Sequence, residues 1–405
     1  MLRPLTDHAD AAGRWATVAL AATIPVSVVL DNVLMGVIAI LWLLGGNLRD
    51  KLAVVRANPV ALAALVLFAL LLLGLAYGTR DVSDLGKYID LLLLPVFLTY
   101  FQDAATRRRA WWLFSGVVLA SIVISLLASR GVLVDNPLLP RTAEYPPAFK
   151  STITQSLLVA FAAYLFALLA RENISRPRRA LLVLCVLFAV HNVIFTIYGR
   201  TGYVVLAVLF VYYFAVTFGR RGLVAIALLG ALTFYAAYRT SDTFHERMRL
   251  AAEEALAWKQ GQPASTSVGM RLEFYANTLK IIREHPLIGS GTGSFPGVYA
   301  RAVEGSGMAA TDNPHNEYLL VAVQIGLVGL AAMLYLFYQQ LRQSARLPSA
   351  LYRDLARGLV ITYAIGCLFN SLLLDHTEGL LFAWLSALIF APLPSAQGVA
   401  AKSGT

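Results

Sequence analysis

His315 stands alone among polar side chains at the start of a long apolar run, TDNPHNEYLLVAVQIGLVGL (311–330), flanked by Asp312, Asn313, Pro314, Asn316 and Glu317. Imidazole exchanges a proton near neutral pH and can act as a base, an acid or a metal ligand. Two arginines offer complementary chemistry: Arg200 in IYGRTGY (197–203) and Arg271 in VGMRLEFYANTLKIIREHP (268–286). A guanidinium keeps its charge and presents forked donors that match a phosphate. Arg80 and Lys87 in GTRDVSDLGK (78–87), and Asp375, His376 and Glu378 in LLLDHTEG (372–379), are further polar groups beside apolar runs. Each has a plainer role available. An isolated arginine meets ordinary lipid phosphate or solvent; Asp312 or Asn313 caps the run after His315, and Asp375 and His376 cap a helix end.

The solvent around these residues is set by composition. Of 405 residues 58% are hydrophobic and 14% charged, against about 25% charged in soluble domains. Uncharged runs such as ALAALVLFALLLLGLAY (61–77) approach the roughly 20 residues that cross a hydrocarbon core. The chain therefore reads as an all-α polytopic membrane protein of about twelve transmembrane helices, at 15–30, 33–46, 59–77, 88–101, 110–128, 152–170, 180–198, 202–218, 222–238, 316–341, 358–374 and 379–394. The first two are short enough to form a re-entrant element instead. The first lacks the basic start and small-residue cleavage site of a removable signal and is read as a retained helix.

Cytoplasmic loops carry excess Lys and Arg. With both termini on one side, nineteen of the 33 Lys and Arg fall there, six in the short loops opposite and eight in 239–315. This places both termini in the cytoplasm and His315 on the outer side. The net charge of +10 is accounted for by topology and anionic inner-leaflet lipid, without nucleic acid. The expected division is nine transmembrane helices over 1–238, a periplasmic loop with two amphipathic helices over 239–315, and three transmembrane helices with a cytoplasmic tail over 316–405. In that loop Phe244 and Met248, then Leu272, Tyr275, Leu279 and Ile282, recur at helical spacing, which predicts two helices lying against the membrane.

Several chemistries are disfavoured. Cys185 and Cys367 lie in expected spans, so neither a disulfide framework nor a cysteine metal site is expected. Asp312 and His315 lack the ligand number and spacing of zinc, and no metal or other cofactor is expected. PLIGSGTGSFPG (286–297) lacks the lysine of a nucleotide loop and reads as a shaped loop closing over the site. A transporter of lipid-linked glycan, the non-enzyme alternative, needs a polar path through the bilayer; here few ionisable groups, Asp90 and His191 among them, fall within spans.

The pairing of HPLIGSGTGSF (285–295) with PHNEYLLVAVQIGLVGL (314–330), in a chain of this length and span number, resembles the O-antigen ligase and polymerase superfamily of bacterial envelope glycosyltransferases, and within it the O-antigen ligases. The resemblance covers roughly 180–380, with the first half similar only in topology. It implies a C-type membrane glycosyltransferase-like fold in the bacterial inner membrane, active on the periplasmic face. The implied reaction transfers a preassembled glycan from undecaprenyl diphosphate to the lipid A core, without a metal. His315 then matches the family histidine, Arg200 the arginine at the outer end of a central span, and Arg271 the arginine of the periplasmic loop. Arg80, Lys87, Asn316 and Asp375 are auxiliary substrate-binding candidates. Two alternatives share the carrier chemistry: an O-antigen polymerase, which extends one glycan with another, and a protein O-glycosyltransferase, which accepts serine or threonine.

Overall fold

The computed structural model describes residues 2–79, 82–132, 149–197, 199–240, 242–259 and 267–393, and these are helical without strands. The first group is α1 (Leu2–Thr23), α2 (Val28–Leu44), α3 (Leu48–Ala57), α4 (Pro59–Gly74), α5 (Val82–Gly86), α6 (Ile89–Tyr100) and α7 (Ala104–Ser129). The second is α8 (Thr152–Arg171), α9 (Arg176–His191), continued by a π-helical turn at Asn192–Ile197, and α10 (Arg200–Thr240). Then come α11 (Asp242–Lys259), α12 (Ser267–Glu284), α13 (Phe295–Val303), α14 (Glu317–Ser344), α15 (Ala350–Gly366) and α16 (His376–Phe390).

Local chemistry sets many of the starts. Asn58 Oδ1 accepts from Val60 N and Ala61 N, with Pro59 in the first turn of α4. Asp103, Ser151, Asn316 and Ser349 cap α7, α8, α14 and α15 through side-chain oxygens. Each bond satisfies a first-turn N–H that has no intrahelical partner.

By length and composition α7, α8, α9 with its π turn, α10 and α14 can each cross a membrane. The α2–α3 pair, bent by 115°, adds a sixth if taken as one broken span, and α4 and α16 are shorter apolar helices. Helices cover most of the expected runs, with instructive differences. α1 begins at Leu2, so the expected span 15–30 straddles the turn between α1 and α2. The charged first turns of α1 are accommodated beside α3, where Asp10 and Lys51 pair at 2.9 Å. The runs 202–218 and 222–238 form two helical stretches of α10 that meet at a kink, where the Gly219 backbone is non-helical. α15 ends at Gly366, and 367–374, expected to be its last turns, form a loop.

α16 sits at the centre, buried from Thr377 to Phe390. Its Trp384 donates from Nε1 to Thr17 O at 2.9 Å and meets Phe101 edge-on at 5.5 Å. α8 is buried almost throughout.

α14 is broken. Ile325 and Gly326 leave the helical region, Gly326 at φ 66°, which strands carbonyls on one side of the break and N–H groups on the other. Unsatisfied backbone groups are not tolerated in lipid. The glycine-bearing loop supplies the partners: Ser290 N and Gly291 N donate to Val323 O and Gln324 O at 2.7 and 2.8 Å, while Pro286 O and Leu287 O accept from Leu327 N and Val328 N at 2.8 and 3.2 Å. On the loop's other flank Thr292 N donates to Gly74 O at 3.1 Å and Thr292 Oγ1 to Leu71 O at 2.6 Å, at the end of α4. The loop is thus a wedge between α4 and α14, and not the cover over the site that its glycines suggested.

Gly326→Ala tests the break. With φ 66° and ψ −166° its backbone lies in a region essentially confined to glycine, which costs an L-residue about 1–3 kcal/mol, and the added Cβ would collide with Leu287 O. A lowered melting temperature in detergent is expected, whereas Gly230→Ala, with open space around it, leaves melting unchanged or raises it.

Candidate active site

Arg200 is the first residue of α10, directly after Gly199. π-Helical turns are rare and recur at functional sites. Here the turn is held by Asn192, which is fully buried and donates from Nδ2 to Ser125 Oγ at 3.1 Å. Arg271 comes from the first turns of α12. The two arginines line one cavity of about 210 Å³, whose wall also includes Thr201, Val204, Leu272, Tyr275 and Phe369. The wall is otherwise largely apolar. Burial lowers the proton affinity of Arg271; Tyr275 opposes this, and the like charge of Arg200 adds a smaller lowering. A guanidinium remains charged under such a shift, so the cavity holds fixed positive charge.

His315 lies beside this cavity. Its backbone is left-handed, φ 54°, a conformation that is uncommon outside glycine and that marks a constrained position. Three contacts hold it. His315 N donates to Asn313 Oδ1 at 2.8 Å, and Asn313 Oδ1 also accepts from Ser371 Oγ at 2.7 Å. The Tyr275 hydroxyl lies 3.1 Å from His315 O and 2.9 Å from Leu368 O, its proton shared between them. The imidazole stacks on Phe274 with centroids 6.3 Å apart. Burial lowers the imidazole pKa and the Arg271 charge lowers it further, so His315 is neutral, and able to accept a proton, at neutral pH.

The loop 367–374 joins the elements. Asn370 Nδ2 donates to Thr201 Oγ1 at 2.8 Å, beside Arg200. Glu317, fully buried, accepts from Leu373 N at 2.9 Å and Leu374 N at 3.3 Å. Tyr88, Gln324 and Gly293 continue this polar line into the bundle: Tyr88 Oη donates to Glu317 Oε1 at 3.4 Å, Gln324 Nε2 to Tyr88 Oη at 3.0 Å, and Gly293 N to Gln324 Oε1 at 2.8 Å.

The structure thus brings Arg200, Arg271 and His315 together. The other candidates are dispersed. Asn316, not Asp312 or Asn313, caps α14: its Oδ1 accepts from Leu319 N and its Nδ2 donates to Leu368 O, both at 3.1 Å. Lys87 pairs with Asp84 at 3.2 Å; Asp84 in turn accepts from Thr79 Oγ1 at 3.0 Å, beside the glycine wedge and away from the arginine cavity. Asp375 is exposed at the N-cap position of α16 and makes no side-chain cap bond. Arg80 lies outside the described residues. Among the described residues no three His, Cys, Asp or Glu side chains converge as metal ligands.

Sequence reasoning missed Tyr275 as a support of the histidine, although its position one turn after Arg271 puts both on one helical face. Phe274 and Ile281 of α12 pack with Phe295, Tyr299 and Val323, while Leu279, on the face expected to lie against the membrane, is 47% exposed. α13 was not foreseen, though Phe295, Tyr299 and Val303 recur every four residues after a proline-bearing start.

The electrostatic link between Arg271 and His315 can be measured directly. In histidine-labelled protein followed by NMR, the His315 midpoint is expected below the ordinary imidazole value, and Arg271→Gln is expected to move it upward. A midpoint indifferent to that substitution would show that the two side chains do not interact.

A comparison with curated proteins returned no match. Residues 180–334, which hold Arg200, Arg271, His315 and the glycine wedge, match the O-antigen ligase (Wzy_C) family model. This supports the family recognised from the sequence motifs, and over that segment the chain is similar to the O-antigen ligase family.

Proposed function

We propose that the protein is an O-antigen ligase, transferring a preassembled glycan from undecaprenyl diphosphate to a sugar hydroxyl of the lipid A core. The observation that carries this reading is that Arg200 and Arg271 share a largely apolar cavity and that Tyr275, in the wall of the same cavity, bonds the backbone of His315. Two fixed cations in one largely apolar cavity favour a multiply charged anion, and a diphosphate offers paired oxygens to forked donors. The apolar wall suits a carrier whose remaining mass is hydrocarbon.

The chemistry follows. The acceptor hydroxyl gives its proton to neutral His315 as its oxygen attacks the anomeric carbon. The bond from that carbon to the diphosphate oxygen breaks, and the electron pair leaves with the polyprenyl diphosphate, whose added charge Arg200 and Arg271 stabilise. A single displacement inverts the anomeric centre. The proton then passes from His315 to the departing diphosphate or to water, which restores the base. Asp375, exposed at the start of α16, is proposed as a contact to the sugars, with Arg80 as an auxiliary; Asn316, occupied in capping α14, and Lys87, paired with Asp84, are not. The reading places the protein in the bacterial inner membrane with both termini cytoplasmic and the site periplasmic, as the distribution of Lys and Arg suggests.

Purified protein given lipid-linked glycan and lipid A core in EDTA is expected to form ligated product. His315→Ala is expected to lower the rate by roughly 10²–10⁴-fold with the melting temperature preserved. Arg271→Ala removes a charge-assisted hydrogen bond of about 1.5–3 kcal/mol and is expected to raise the donor KM by roughly tenfold or more. Glycan growth on the carrier, with the lipid A core left untouched, would identify a polymerase instead. Transfer only when a divalent ion is supplied would overturn the arginine mechanism.

A further inference from the structure

A second polar cluster lies at the same end of the bundle, outside the arginine cavity. Lys150 is only 8% exposed and immediately precedes Ser151, the cap of α8. Its Nζ donates to Thr377 Oγ1 on α16 at 3.0 Å and lies 3.7 Å from Asp31 Oδ2 on α2. Asp31 is fully buried, and His376 Nε2 is 4.0 Å from the same oxygen. One turn into α8, Thr154 Oγ1 donates to Glu378 Oε1 at 2.6 Å. The start of α8 is therefore fastened to α16 twice and to α2 once.

The same turn of α8 carries Arg200 on its other side. A Cβ at Gly199 would come within 2.3 Å of Ser156 Oγ and 2.9 Å of Thr152 O, and one at Gly202 within 2.4 Å of Ser156 Cβ. These glycines bracket Arg200 and Thr201, so the arginine-bearing turn rests on α8 with no side chain between them. A close-packed interior leaves no slack there: a displacement at the start of α8 is passed on to the guanidinium. Two apolar residues of similar volume would fill the space occupied by Lys150 and Asp31 without the desolvation penalty of a buried ion pair. A pair that bridges separate helices fixes their relative placement, which apolar contact does not.

We propose that Lys150 is a positioning residue for Arg200: through Asp31 and Thr377 it sets where α8 begins, and α8 sets where the arginine meets the diphosphate. The inference rests on the diphosphate-binding reading of the arginine cavity.

The test is equilibrium binding of undecaprenyl diphosphate to full-length protein in nanodiscs, with melting temperature measured on each variant. Wild type binds and Arg200→Ala binds weakly if the cavity is read correctly. Lys150→Met, similar in length but neutral, is then expected to bind about tenfold more weakly, and Lys150→Arg to recover part of that loss. Thr154→Val, which removes the fastening to Glu378 without touching the ion pair, is expected to weaken binding severalfold and serves if Lys150→Met fails to fold. Affinity equal to wild type in folded Lys150→Met or in Thr154→Val, whatever the melting temperature, overturns the positioning role and leaves the cavity reading intact. Failure of wild type to bind overturns the cavity reading and the positioning role with it.

Discussion

A helix broken inside a bilayer must find partners for the backbone groups it releases, and the rest of this structure follows from how α14 does so. Val323 and Gln324 offer carbonyls and Leu327 and Val328 offer N–H groups, all answered by residues 286–291. Those residues directly follow α12. The join therefore anchors the helices outside the bundle to the bundle itself, and with them Arg271 and Tyr275. Arg200 and His315 arrive on α10 and at the start of α14. The cavity exists because one backbone repair fixes α12 over the ends of two membrane helices.

Charge at this end of the bundle is arranged in two unlike ways. Around the cavity, Arg271 feels Arg200 as a like charge and lowers the proton affinity of His315. A few residues away, Lys150 contacts Asp31 and Thr377, and Thr154 contacts Glu378. The start of α8 lies between the two groups. Helix starts also gather here, those of α8, α10, α14 and α16 among them, and helix N-termini favour negative charge.

Much of this was legible in the sequence where a single strong pattern decided the outcome. Apolar runs located most helices, and His315 with Arg200 and Arg271 drew attention by residue type and by standing next to those runs. Legibility failed where tertiary contacts decide. The charged start of α1 hid a helix because Asp10 is matched by Lys51, which lies far along the chain. The loop 286–293 read as a cover because its glycines signal an unusual backbone, whereas its function as a wedge depends on a break at Gly326 that no local pattern around the loop reveals. Residues 367–374 are apolar enough to pass for helix, yet Asn370 and Ser371 are drawn into contacts with Thr201 and Asn313. The pairing of Lys150 with Asp31 has no sequence signature.

The wedge also bears on biogenesis. Residues 286–291 leave the ribosome before α14, but the groups they satisfy belong to α14. Until both are present, neither can settle: the loop has donors and acceptors without counterparts, and the helix has a gap that hydrocarbon cannot fill. The segment from α12 through α14 is therefore complete only as one unit.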